Sequence, residues 1–315
     1  MSPPDAASLK NIAIVGAGGR IGGFIANALI EQGQHHVTAI TRPDSTAELP
    51  SSIHDVKKAD YASHSSLVEA LKGQDFLVIS MNVMAPKDSQ TRLIDAAVEA
   101  GVRWIMPNEY GGSWSSSEQM GKDDLLGPGI LAIRKYIEEK GANWVSCVCG
   151  FWYEFSLSGA EIRYGFDFKK RSLTIFDDGK VGRAVSKLLA LPVSGSSPCL
   201  EDWKNKQLCI SSFTLSQRDM FDSVLRVTNT QESDWTITNE GTQDRLKRGQ
   251  EMMKQGNFAG FAIMLYVSVF FPNGRGDNTA LNQNDKLGLP KEDLDEATKV
   301  AVEYVESGKA KAWSM

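Results

Sequence analysis

The sequence predicts an α/β fold: a doubly wound parallel sheet followed by a smaller, mixed α/β module. Three observations point to it. Short apolar runs alternate with helical patterns through the first half of the 315 residues, the arrangement of a parallel sheet wrapped by its crossover helices. A glycine-rich turn, "GAGGRIGG", joins the first apolar run directly to the first helical one. After Gly150 the alternation stops and aromatics cluster in "GFWYEF".

Asn11–Gly16 reads as a buried strand, and Arg20–Gln32 as a helix stopped at Gly33. A second strand is expected over 36–42 and a third within 53–61. The helix over 65–73 would open on a capping box from Ser66 to Glu69 and close on glycine. Strand "DFLVISM", helix "SQTRLIDAAVEAG", strand "VRWIMP", a helix within "LLGPGILAIRKYIEEKGANW" and strand "WVSCVCG" complete six strands. The expected division is a nucleotide-binding domain over 9–150 and a substrate module over 151–315 that can return elements to the first. In the second half, helices are expected at "GRAVSKLLALP", 216–229, 243–255 and 291–307, and a strand at "KQLCISSF". Residues 258–271 form the longest apolar stretch and read as a buried helix or a pocket wall.

Composition narrows the function classes. Hydrophobic content of 42% and charged content of 23% suit a globular enzyme. A net charge of −5, with no basic run longer than Lys169–Arg171, argues against a nucleic-acid partner. The N-terminal "MSPPDAASLK" has no basic region followed by an apolar core, so no secretory leader is expected. No apolar run reaches the roughly 20 residues a membrane span needs, and the expected setting is cytoplasmic. The four cysteines read as reduced and buried, and the histidines at 35, 36, 54 and 64 have no metal-ligand spacing.

The glycine turn carries the first functional signal. A G-x-G-x-x-G motif would need glycine where Ile21 stands, whereas G-x-x-G-x-x-G fits Gly16, Gly19 and Gly22. Glycines here permit the tight turn, let backbone N–H groups approach a diphosphate, and allow close helix–strand packing. The strand–turn–helix context makes this a Rossmann-type dinucleotide site, with Arg20 and Ile21 at the helix start. The end of the second strand selects the cofactor. A carboxylate there would hold the ribose 2′-OH of NAD, whereas this chain has Thr41 and Arg42, and arginine accommodates the 2′-phosphate of NADP(H). Asp60 and Tyr61, after the third strand, stand where a polar group meets an adenine.

These segments resemble the NmrA-like, isoflavone-reductase-like branch of atypical short-chain dehydrogenases, especially its fungal members. "GAGGRIGG", "ITRPDS", "AAVEAGVRWIMPNEYG", "GFWYEFSLSG", "YGFDFKKRSLTIFDDG" and "LGLPKEDLDEATK" carry the resemblance over nearly the whole chain. It implies NADP(H) along the carboxyl edge of the sheet and a substrate cleft between the modules. It implies that Asn82, the "PNEYG" segment with Asn108, and Gly150–Phe151 surround the nicotinamide.

Two departures stand out. Catalytic members of that family carry a lysine on the helix after the fifth strand, and the matching position here is Ile130. A Y-x-x-x-K pair, Tyr136 and Lys140, lies further along. Six positions beyond Ile130, Tyr136 is rotated by about 240° around the helix, and the pair runs into Gly141, so it is not the active site. Ile130 also continues an apolar stripe with Leu126, Ile133 and Ile137. The second departure is a missing polar segment between "DDG" and "GRAV", which would reshape one cleft edge.

Without the lysine, the candidate acids are Tyr110, Lys122 and Tyr153, each with a plainer reading as cleft filler, loop residue or pocket wall. Tyr110, Trp114, Ile130, Trp152, Phe155, Phe258 and Phe261 would make a pocket for a large, apolar or aromatic secondary metabolite. The leading expectation is an NADPH-dependent reductase. A redox-neutral cyclase or isomerase using the same cleft, and a catalytically silent NADP(H) sensor that binds a transcription factor, stay open beside it.

Overall fold

The computed structural model describes residues 8–82, 85–111, 126–173, 181–270 and 279–308. Seven parallel strands form one sheet in the order β3-β2-β1-β4-β5-β6-β8. They are β1 Asn11–Val15, β2 His36–Thr41, β3 Asp55–Lys58, β4 Phe76–Ile79, β5 Trp104–Met106, β6 Asn143–Val148 and β8 Lys206–Cys209. The order reverses between β1 and β4, the point where open α/β sheets leave a crevice at their carboxyl ends.

Strand β1 shows why the sheet is buried on both faces. Ile12 and Ile14 enter one core, while Ala13 and Val15 enter the other. Helices α1 (Arg20–Gln32) and α6 (Val181–Leu189) cover the first face, with Ile25 and Leu29 packed among Val185, Leu188 and Leu189. Helices α2 (His64–Leu71), α3 (Ser89–Glu99) and α4 (Gly127–Glu139) cover the second.

Helix α2 starts earlier than the sequence pattern suggests. Its cap is Ser63, whose side chain accepts the Ser66 N–H, so the expected Ser66–Glu69 box does not form. Glu69 instead pairs with Lys72 one turn on.

Beyond β6 the chain builds its second module. It comprises α5 (Tyr153–Leu157), a two-stranded pair of β7 (Ser172–Leu173) with β9 (Thr236–Ile237), α7 (Gln217–Thr228), α8 (Thr242–Lys254), α9 (Ala259–Val267) and α10 (Leu294–Glu306). Tyr153, Tyr164, Phe166 and Phe221 are fully buried in its core, each contributing about 1.5–3 kcal/mol by leaving water. The expected strand at "KQLCISSF" is β8, and it pairs with β6 in register, Val145 with Lys206 through Val148 with Cys209. The apolar stretch near 258–271 is α9 followed by a short 3-10 turn over Ser268–Phe270. Helices α8 and α9 approach so closely that a Cβ on Gly260 would lie 2.3 Å from the Gly249 carbonyl oxygen. The "DDG" segment of the second departure lies outside the described residues.

Candidate functional site

The glycine turn forms the centre of the crevice. Gly16 has φ +85°, and a Cβ there would fall 1.8 Å from the Ser80 carbonyl oxygen at the end of β4. A Cβ on Gly22 would lie 2.1 Å from the Gly16 oxygen, which itself accepts the Gly19 N–H at 2.9 Å. Both glycines are therefore required by packing. Helix α1 has no side-chain cap at Gly19 and no acidic residue in its first turn. Its leading N–H groups and the positive end of its dipole face the crevice uncompensated, which suits a diphosphate.

Arg42 follows β2, its side chain 64% exposed and its Nε 3.7 Å from Asp44. That loose pair leaves the guanidinium available for a phosphate. Nearby, Tyr61 donates its hydroxyl to the Ile40 carbonyl at 2.9 Å, and burial pushes its phenol up to about 12. Asp60 is exposed and accepts the Ala62 N–H at 2.9 Å, so its carboxylate already braces the turn. Thr41 accepts the Ala59 N–H at 2.8 Å through its carbonyl, closing the end of the β2–β3 ladder.

On the other side of the reversal, Asn108 links two strand ends. Its Oδ1 accepts the Met81 N–H at 3.0 Å, its Nδ2 donates to the Met81 carbonyl at 2.9 Å, and its own N–H donates to Gln90 at 2.7 Å. Asn82 beside it is exposed. Gly150 turns the chain with φ +71° and donates its N–H to Gly111. Phe151 then stacks on Tyr266 of α9, centroids 4.2 Å apart, so the second module holds this ring in place.

Two of the expected acids are committed elsewhere. Tyr110 is buried and donates to the Ile79 carbonyl at 2.8 Å; burial holds its phenol well above the usual range. Tyr153 is fully buried, with its hydroxyl 2.6 Å from that of Thr298 on α10. Each reads as core. Lys122 and Trp114 lie outside the described residues.

The pocket set also separates. Ile137 is fully buried and Ile133 packs on the core, whereas Ile130 and Leu126, nearer the start of α4, are only half-buried. Ile130 therefore sits at the less enclosed end of the stripe. Trp152 is half-buried, and its ring lies 5.7 Å from Phe155. Phe155 in turn lies against Arg20, with the guanidinium carbon 5.1 Å from its centroid. Phe155 thus borders the start of α1. Phe258 is 59% exposed at the start of α9, and Phe261 is half-buried.

Sequence reasoning missed the group beneath Ile130. Arg134, one turn on, is buried and donates from Nε to Glu109 at 3.0 Å, while Nη2 and Gln207 of β8 also bond that carboxylate. Burial raises the Glu109 pKa, and Arg134 and Gln207 oppose the rise. The pair braces the loop after β5 rather than offering an acid. Its signal was visible as an i, i+4 spacing from Ile130. Tyr136 and Lys140 converge on Asp95 of α3, the hydroxyl at 2.8 Å and the amine at 2.6 Å. Among the described residues, no cluster of histidine, cysteine or acidic side chains could hold a metal ion, and no helix is long and apolar enough to cross a membrane.

A glycine turn opening an uncapped helix at the reversal point of a parallel sheet defines a Rossmann-type α/β fold. Residues 8–159 match the sequence model of the NmrA-like family. Among curated relatives, the oxidoreductase aprR of Aspergillus flavus is 26% identical over 300 residues, covering 90% of this chain and 96% of that protein. The structure of AtPrR2 with NADP+ and (+)-pinoresinol superposes with a TM-score of 0.67 at 17% identity, covering 94% of this chain and 99% of that one. An isoflavone reductase superposes with a TM-score of 0.67 at 18% identity, over 95% and 100% of the two chains. At these identities the likeness is one of fold.

Proposed function

We propose that this protein is an NADPH-dependent reductase acting on a large apolar or aromatic small molecule of secondary metabolism, in the cytoplasm. Residues 9–150 would supply the nucleotide platform and 151–315 most of the substrate cleft. The observation that carries the cofactor reading is Arg42, a weakly paired cation at the end of β2, one strand from the uncapped start of α1. A 2′-phosphate fits that cation, and a 2′-OH gives it no role. The names of the relatives, an oxidoreductase and reductases, agree with this reading.

When bound, NADPH supplies the hydride. The chain's own residues do the rest. Gly16, Gly19, Arg20, Ile21 and Gly22 would hold the diphosphate, with Thr41 and Arg42 at the 2′-phosphate and Asp60 and Tyr61 beside the adenine. Asn82, Asn108, Gly150 and Phe151 would border the nicotinamide, with Phe151 fixed by Tyr266. Trp152, Phe261 and Ile130 offer half-buried apolar surface that would exclude water from the reacting centre.

A second reading rests on the proton. Ile130 has no donor, and the hydroxyls of Tyr110 and Tyr153 are engaged with Ile79 and Thr298. A redox-neutral cyclase or isomerase needs only positioning from the same cleft, and an NADP(H) sensor with a protein partner needs no donor at all.

One experiment separates the three. The protein is incubated with NADPH deuterated at its transferable position and a metabolite extract, and products are followed by mass. The reductase reading expects deuterium in a new product. A new product without deuterium would establish the redox-neutral enzyme, and no product would favour the sensor.

A further inference from the structure

Helix α1 begins with Arg20, a cation placed at the positive end of the helix dipole with no acid in the first turn. That placement is unfavourable for an isolated helix. Among the described residues Arg20 makes no ion pair. Its guanidinium carbon instead lies 5.1 Å from the ring centroid of Phe155 and 5.9 Å from that of Tyr304.

A second guanidinium joins it from the other half of the molecule. Arg163 lies with its carbon 3.8 Å from the same Phe155 centroid, and its Nη1 donates to the Phe155 carbonyl at 2.8 Å. It is 9% exposed, and burial together with the charge of Arg20 lowers its pKa. Its position is built. A Cβ on Gly159 would fall 2.1 Å from Arg163 Cδ, so the bare glycine makes room for the arginine stem. The two guanidiniums thus share one phenyl ring beside the start of α1.

We infer that Arg163 is a cofactor-positioning residue contributed by the second module, which with Arg20 and the start of α1 grips the diphosphate of the dinucleotide. Phe155 is the wedge that sets both guanidiniums, which ties its role to the cofactor rather than to the substrate wall. Arg163 lies beyond residue 159, where the family match ends. The inference rests on the dinucleotide reading above and deepens it.

The test is calorimetric titration of the full chain with NADPH and, separately, with NADH, for wild type, Arg163→Met and Arg163→Gln. Methionine keeps the stem over Gly159, and glutamine keeps a donor for the Phe155 carbonyl. Both variants should melt close to wild type and bind NADPH and NADH about tenfold more weakly, by the same factor, because the two share the diphosphate. The salt dependence of binding should also become shallower. Failure of wild type to bind either nucleotide would overturn the cofactor reading itself. Wild-type binding with unchanged affinity in the variants would overturn the inference alone, as would a loss confined to NADPH, which would move Arg163 to the 2′-phosphate. Variants that fail to fold would assign Arg163 to the architecture and overturn it too.

Discussion

Lys140 donates to Asp95 at 2.6 Å, and Tyr136 reaches the same carboxylate at 2.8 Å, so the Y-x-x-x-K pair is a clamp between α4 and α3. The amine also lies 4.9 Å from the Tyr136 ring centroid. The clamp is partly exposed, and such ion pairs contribute little to stability. Lys140→Met and Tyr136→Phe should each leave NADPH affinity within about twofold of wild type, since both side chains are committed to Asp95 of α3. A titration showing a larger loss would return the pair to the active site.

Ile130 offers the converse. It is half-buried on the first turns of α4, so a lysine there can run its stem along apolar surface and keep its amine in water. Ile130→Lys should cost less than about 1 kcal/mol in urea unfolding and keep or improve NADPH binding. A collapsed fold would show instead that the position is sealed core.

Gly22 inside α1 and Gly33 at its end are needed for different reasons and should respond differently. At Gly22 a Cβ meets the Gly16 carbonyl at 2.1 Å, whereas at Gly33 nothing lies within 4 Å and only φ of +70° resists a side chain. Gly22→Ala should cost about 2–4 kcal/mol and abolish nucleotide binding, because the turn must open. Gly33→Ala should cost about 1 kcal/mol and leave binding intact. Thermal melts with and without NADPH distinguish them.

Arg42 should read the extra phosphate. Arg42→Ala is expected to weaken NADPH by about tenfold to a hundredfold while leaving NADH nearly unchanged, since only the charge-assisted bonds to the 2′-phosphate are lost. Asp44→Asn frees the arginine from its 3.7 Å partner and should tighten NADPH about twofold. Equal weakening of both nucleotides by Arg42→Ala would remove the assignment.

Tyr61 sets an alkaline limit. Its phenol is raised from 10.0 to about 12 by burial, with Arg42 opposing. The folded state therefore holds this proton longer than the unfolded chain does. The contribution is full below pH 10 and falls between 10 and about 12, by at most about 3 kcal/mol. Tyr61→Phe should flatten stability curves over that interval. In phenolate absorbance, Tyr61→Phe should lose the titration step that the native protein shows near the upper end of that interval.

The parallel sheet and the glycine turn were legible because both depend on local pattern. Buried strands such as "NIAIVG" are apolar on both faces, and the turn residues follow one strand directly. What escaped depends on distant chain segments meeting. Nothing in residues 155–163 announces that Phe155 and Arg163 lie against the start of α1, because the turn between them has no helical or strand period. The commitment of Tyr110 to Ile79 and of Tyr153 to Thr298 follows from packing, and each tyrosine looked equally suited to the cleft. Helix α2 shows the local limit: Ser63 and Ser66 are both reasonable caps, and the tertiary start of the helix chose the first.

Strand β8 joins the sheet beside β6, although 57 residues separate Val148 from Lys206. The chain thus leaves the platform, lays down α5, β7 and α6, and comes back to finish it. A fragment stopped at Gly150 would present the Val145–Val148 edge bare, a row of unpaired amides flanked by valines that invites pairing with another copy. It would also lack α6, which shields Ile25 and Leu29. Dissecting this protein at the apparent seam should therefore yield aggregates, and useful truncations must keep both passes of the chain.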